Sequence, residues 1–165
     1  MQTLDDVIAS DLRVLFVGIN PGLYSAAVGH NFGRPGNRFW PTLALAGLTP
    51  ERLDPSRERE LLKYGLGITN IVARATAKAE ELTVEELRHG ALLLIEKVRR
   101  FRPRMVAVLG VTAYRVAWAR PKAALGLQTD RVGEAALWVL PNPSGLNAHH
   151  QLPDLARLFG ALREG

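Results

Sequence analysis

Two short polar turns hold the residues best suited to chemistry: Gly18-Ile19-Asn20-Pro21-Gly22, and Pro141-Asn142-Pro143-Ser144-Gly145-Leu146-Asn147. Each follows an apolar run, Val14 to Val17 in one case and Ala135 to Leu140 in the other. Each therefore reads as a Pro/Gly-stiffened turn leaving a buried strand. A carboxamide in such a turn can orient a water or grip the edge of a base. It does not titrate, so it cannot act as a strong general base. Hydrolysis resting on Asn20 would need a leaving group that departs largely by itself. Asn before Pro is also an ordinary turn initiator; what favours a site is its recurrence at two strand ends with aromatic residues near.

Other side chains have two readings each. Phe32 follows His30-Asn31 in a polar, Gly-rich loop and is either a local apolar anchor or a platform on which a flat base stacks. Leu146, between Gly145 and Asn147, is either a buried loop pin or an exposed wedge of the kind DNA binders push between bases. Arg34 and Arg38 flank the first loop. Lys97, Arg99, Arg100, Arg102 and Arg104 gather at the end of a long helix, where solvated cations are the ordinary finding. His149-His150 has no matching carboxylate or Cys set, so no metal is expected. Ser144 has no evident His/Asp partners and is not expected to be a nucleophile. Gly18 and Gly22 do not form a GxGxxG pattern and no Gly-Lys-Ser/Thr follows, which speaks against a nucleotide cofactor.

The elements that must position these residues follow from periodicity. Residues 11–19 read as a buried strand and 20–36 as a long functional loop. A helix is predicted from Asn37 as N-cap to Gly47, and a short one over 57–64 stopped by Gly65. Residues 67–72 read as a second strand. Thr83 and Glu86 form a capping box opening a helix that Pro103 closes. A strand over 105–109, a helix over 111–119, an irregular stretch over 121–134 and a strand over 135–140 follow. Leu152, Leu155, Leu158 and Leu162 mark a closing helix. This alternation predicts a single α/β domain over 1–165, doubly wound around a mainly parallel sheet. Loops at the carboxyl ends of such strands meet at one crevice, which would set the two Asn-Pro turns face to face.

Composition narrows the class. With no cysteine, disulfides, thiolate metal sites and a Cys nucleophile are excluded. No apolar run reaches the roughly 20 residues needed to cross a bilayer, and the acidic start reads as no signal peptide. A cytoplasmic protein is expected. A net charge of +5 and a pI near 10.1 suit a polyanionic partner, and equally suit simple solubility.

Together, Gly18 to Leu23, Phe32 to Trp40 with Asn37-Arg38-Phe39-Trp40, Gly67-Ile68-Thr69-Asn70, and Asn142-Pro143-Ser144-Gly145-Leu146 resemble the mismatch-specific uracil/thymine DNA glycosylases. The resemblance spans about Leu12 to Leu162. Single-uracil enzymes of the wider superfamily are similar in layout, with Asp in place of Asn20 and His in place of Asn142. The iron–sulfur branches need cysteines that this chain lacks.

The resemblance implies a three-layer α/β/α glycosylase fold and a monofunctional enzyme of base-excision repair. It would excise uracil, thymine or exocyclic cytosine adducts opposite guanine from mispaired or damaged duplex DNA, as a monomer with no cofactor. Asn20 would position the water attacking C1′, and Phe32 would stack on a flipped base. Ile19, Ser25, Asn70 and Asn142 would line the base pocket. Leu146 would fill the vacated space, Gly145 and Asn147 would meet the unpaired guanine, and Arg34 and Arg38 would hold phosphates. The neutral amides imply a slow enzyme. Tyr24 and Ala148 depart from the family pattern, the first implying a narrower or differently stacked pocket and the second weaker recognition of the opposite base. Two other classes stand beside this reading: a non-catalytic binder of mismatched DNA, and a nucleotide-binding or hydrolase domain unrelated to DNA.

Overall fold

A computed structural model describes residues 3–164. Five strands form one sheet in the order β2-β1-β3-β5-β4. β1 (Val14–Gly18), β2 (Leu66–Asn70), β3 (Met105–Leu109) and β5 (Ala135–Leu140) run parallel, and β4 (Gly126–Val132) lies antiparallel at one edge. β1 and β3 are buried along their whole length, as unbroken apolar runs require when both faces of a sheet are covered. On one face Phe16 meets Phe39 of α2 (Phe39–Leu45) and Phe159 of α5 (Leu152–Gly160). A 3-10 segment, Pro55–Tyr64, completes that layer. On the other face Leu15 and Val17 share a core with Leu94 and Val98 of α3 (Val84–Phe101) and Tyr114 of α4 (Val111–Ala117). The three layers match the expected class.

The chain passes outward from β1 to β2, then returns through α3 to β3 on the other side of β1. The winding therefore reverses between β1 and β3, and a crevice opens there at the carboxyl ends. Gly18 and Asn70 pair at that end of β1 and β2. At the outer edge of β2, Val7 exchanges two backbone hydrogen bonds with Ile68 (2.9 and 2.8 Å), which covers an otherwise open edge.

Most predicted elements stand: the strands over 105–109 and 135–140 have the expected bounds, while β1 and β2 are shorter than the runs 11–19 and 67–72. Thr83 and Glu86 make both bonds of the capping box. The stretch 121–134 is not irregular throughout, because 126–132 is the edge strand β4. Being half solvated, it needs no apolar run, and Gln128 to Arg131 masked it. The loop 20–36 contains a short helix, α1 (Leu23–Val28), ended by Gly29. Arg38, not Asn37, occupies the N-cap of α2, while Asn37 Oδ1 accepts from the Phe39 N–H at 2.9 Å.

Candidate active site

A cavity of about 770 Å³ opens at the crevice, and both Asn-Pro turns line it. Ile19, Asn20, Ser25, Phe32, Arg34, Asn70, Asn142, Leu146 and Asn147 all reach its wall. The topology thus brings together residues from the ends of β1, β2 and β5.

Asn20 is held by a loop that periodicity did not flag. Its Nδ2 donates to the Arg74 carbonyl (2.8 Å) and to Thr76 Oγ1 (2.8 Å). Thr76 Oγ1 gives its own proton to the Lys78 carbonyl at 2.7 Å, so it can only accept from Asn20. An inverted amide would face two oxygens, one of them a carbonyl. Oδ1 is therefore fixed as the acceptor end of Asn20 at the cavity wall, with no partner among the described residues. The loop is itself fastened: Thr76 N–H donates to the Pro21 carbonyl (3.1 Å), and the Arg74 guanidinium donates to Glu86 at 3.0 and 2.9 Å. Those bonds, with the Thr83 N–H, pull the Glu86 carboxyl down to about 2.

Phe32 is fixed on one side. Its ring stacks on Phe39, with centroids 4.2 Å apart and 23° between planes, and its carbonyl accepts from Trp40 Nε1 at 3.2 Å. Its φ of 51° is uncommon for a residue with a Cβ, so the contacts must hold it there. Close approach explains Gly18: a Cβ there would lie 2.6 Å from Asn70 Oδ1 and 3.4 Å from the Phe32 ring. Ser25 is buried, and its Oγ accepts from the Gly33 N–H at 3.0 Å, tying the first loop together. Tyr24 does not line the cavity; it stands exposed on α1, so the narrowing its bulk implied does not arise from its position.

The second turn is organised differently. Asn142 Oδ1 accepts from the Ser144 N–H at 2.9 Å, which leaves its amide N–H groups as the end available to a ligand. Leu146 is 85 % exposed, which decides between its two readings in favour of a projecting side chain. A Cβ on Gly145 would lie 2.8 Å from the Gly36 carbonyl, so the two loops touch through it.

Two of the expected DNA contacts have other work in this structure. The Arg38 guanidinium donates to the carbonyls of Ser144, Asn147 and His150, and the Arg38 N–H donates to that of Pro143. It clamps the projecting loop rather than facing outward to a phosphate. The Asn147 amide closes the same loop, donating to the Asn142 carbonyl (3.0 Å) and accepting from the His149 N–H (3.0 Å). Arg34 remains exposed at the cavity rim. Of the basic residues at the end of α3, Arg104 lies beside the amino ends of the strands, where its N–H bonds the Leu12 carbonyl, while Lys97 pairs with Asp6 and donates to Thr69 Oγ1 at 2.8 Å.

The profile of the uracil DNA glycosylase superfamily matches residues 6–163, and the chain belongs to that superfamily. The fold is also similar to the solution NMR structure of a Methanosarcina acetivorans protein described as a candidate uracil DNA glycosylase. The match has a TM-score of 0.67 and 17 % identity, and covers 99 % of this chain and 96 % of that one.

Proposed function

We propose that the chain is a monofunctional, mismatch-specific DNA glycosylase that removes uracil opposite guanine from duplex DNA. The observation that carries this reading is Asn20, whose amide nitrogen is fully committed and whose Oδ1 is left as an acceptor at the wall of the cavity that Phe32 also lines. That oxygen would hold a water against C1′ of a flipped deoxyuridine. The water oxygen bonds to C1′ as the C1′–N1 bond breaks, the bonding pair leaves on the uracil ring, and the water gives a proton to solvent. Phe32 would stack on the base, with Ile19 and Ser25 beside it. Asn142 would offer N–H donors to the charge developing on the leaving base. Asn70 would meet the opposite edge.

An amide in place of a carboxylate adds no negative charge to stabilise a cationic sugar, so the mechanism depends on uracil being a good leaving group. Leu146 would enter the space the nucleotide vacates, at an unstacking cost least for a mispair. A preference for G·U would follow. Arg34 would contact the phosphate backbone, and Gly145 with Asn147 would lie nearest the widowed guanine. The partner is double-stranded DNA carrying a mispaired or damaged base, bound by a monomer.

Labelled duplexes carrying G·U, A·U or G·T, and single-stranded uracil, are incubated with excess protein and then treated with alkali to cleave abasic sites. Strand scission that is fastest at G·U is the expected result. Mispair binding without scission on any substrate would instead establish a binding module.

A further inference from the structure

One buried carboxylate is unused by the reaction described above. Glu58 lies in the 3-10 segment, 7 % exposed, behind the cavity wall rather than in it. Its Oε1 accepts from the Asn31 backbone N–H (3.2 Å) and from Asn31 Nδ2 (2.8 Å), and its Oε2 lies 2.9 Å from His30 Nδ1. A buried carboxylate of this kind is weak as a stabilising device, since an apolar residue of similar size often serves stability as well. Its position relative to Asn70 supplies another role.

The second proton of Asn31 Nδ2 goes to the Asp5 carbonyl at 3.2 Å. Both protons thus face oxygens that cannot donate, and the Asn31 amide has one permitted orientation. Its Oδ1 is turned to Asn70, whose Nδ2 donates to it at 3.3 Å. Asn70 in turn has its orientation set: Oδ1 lies over Gly18, and one N–H has no partner among the described residues. An acceptor beside a single donor complements the N3–H and O4 of uracil. Inverted, the same amide would complement N3 and the N4 amino group of cytosine.

We propose that Glu58 is a positioning residue for base reading, which through Asn31 holds the Asn70 carboxamide in the orientation that accepts uracil and rejects cytosine. The inference rests on the glycosylase reading and deepens it. Glu58 touches no substrate, so its whole effect on excision passes through Asn70.

The test is a double-mutant cycle in single-turnover excision of G·U, using wild type, Glu58→Ala, Asn70→Ala and the double variant. Binding to a duplex with a tetrahydrofuran abasic analogue and thermal melting are measured alongside. Glu58→Ala is expected to slow excision about 10- to 100-fold, the range for an unfixed buried polar group, with analogue binding unchanged. The double variant is expected to be no slower than Asn70→Ala, because coupled residues are non-additive. Glu58→Gln keeps the Oε1 acceptor and can donate to His30 Nδ1, so it is expected to restore most of the rate.

Losses that add in the double variant, or an Asn70→Ala enzyme as fast as wild type, would overturn the assignment while leaving the glycosylase intact. An inactive wild type would overturn the glycosylase reading and this inference with it. Should Glu58→Ala fail to fold, Asn31→Ala interrupts the same relay and must show the same non-additivity with Asn70→Ala.

Discussion

Asn20 and Leu146 stand on equivalent Asn-Pro turns, yet their surroundings are opposites. Around Asn20 each donor has an acceptor, Phe32 is stacked against Phe39, and Asn70 is held from behind through Asn31. Around Leu146 the side chain meets solvent, and what is fixed is the backbone beneath it, gripped by Arg38. On the function proposed above, the difference follows from what each would have to do. Orienting a water and a base requires groups already in place, since each disordered side chain would add to the barrier. Entering a base stack requires an apolar group that meets DNA before anything in its own protein covers it. On that reading a rigid floor and a projecting loop would divide the work.

Breaking the floor should cost most. Asn20→Ala is expected to lower the single-turnover rate by about 10³-fold, as loss of a key orienting group does, with DNA binding retained. Arg38→Met sharpens the comparison from the other side. It removes three charge-assisted bonds to the loop, each worth about 1.5–3 kcal/mol at most. We expect a lower melting temperature and roughly 30-fold slower excision from duplex, read by thermal melts and the same cleavage assay. Leu146→Ala, at an exposed site, is expected to leave stability within about 0.5 kcal/mol of wild type and to slow duplex cleavage about 10-fold.

The smallest effect tests how the floor is fastened. The Glu86 carboxyl is held near 2, below its ordinary 4.5, chiefly by Arg74. A lowered folded value means stability that is complete above pH 4.5 and lost as pH falls towards 2. In melts across pH, the gap between wild type and Glu86→Gln should be full at neutrality and close on acidification.

The parts of this site that sequence alone revealed are those written locally. Asn20-Pro21, Phe32 and Asn142 to Leu146 could be singled out because strand, turn and polar residue lie within a few positions of one another. The supports of those residues could not. Asn20 depends on Thr76, 56 positions away, and Arg38 on Asn147, 109 positions away. Nothing in the local pattern around Arg38 separates a phosphate contact from a clamp on a distant carbonyl. Glu58 falls in the short helix predicted over 57–64 with nothing local to single it out, and only the sheet's register, which sets Asn70 at the end of β2 beside Asn31, gives it the role proposed above. β4 escaped for a related reason, since an edge strand can be polar where a central one cannot.

The division of labour is tested most directly by comparing uracil in a G·U pair with uracil in an unpaired bubble, in single-turnover excision by wild type, Asn20→Ala and Leu146→Ala. The bubble removes the work of opening the stack and leaves the chemistry. The Leu146→Ala defect should disappear in the bubble while the Asn20→Ala defect persists undiminished. A Leu146→Ala enzyme equally slow on both substrates, or an Asn20→Ala enzyme restored by the bubble, would contradict the account.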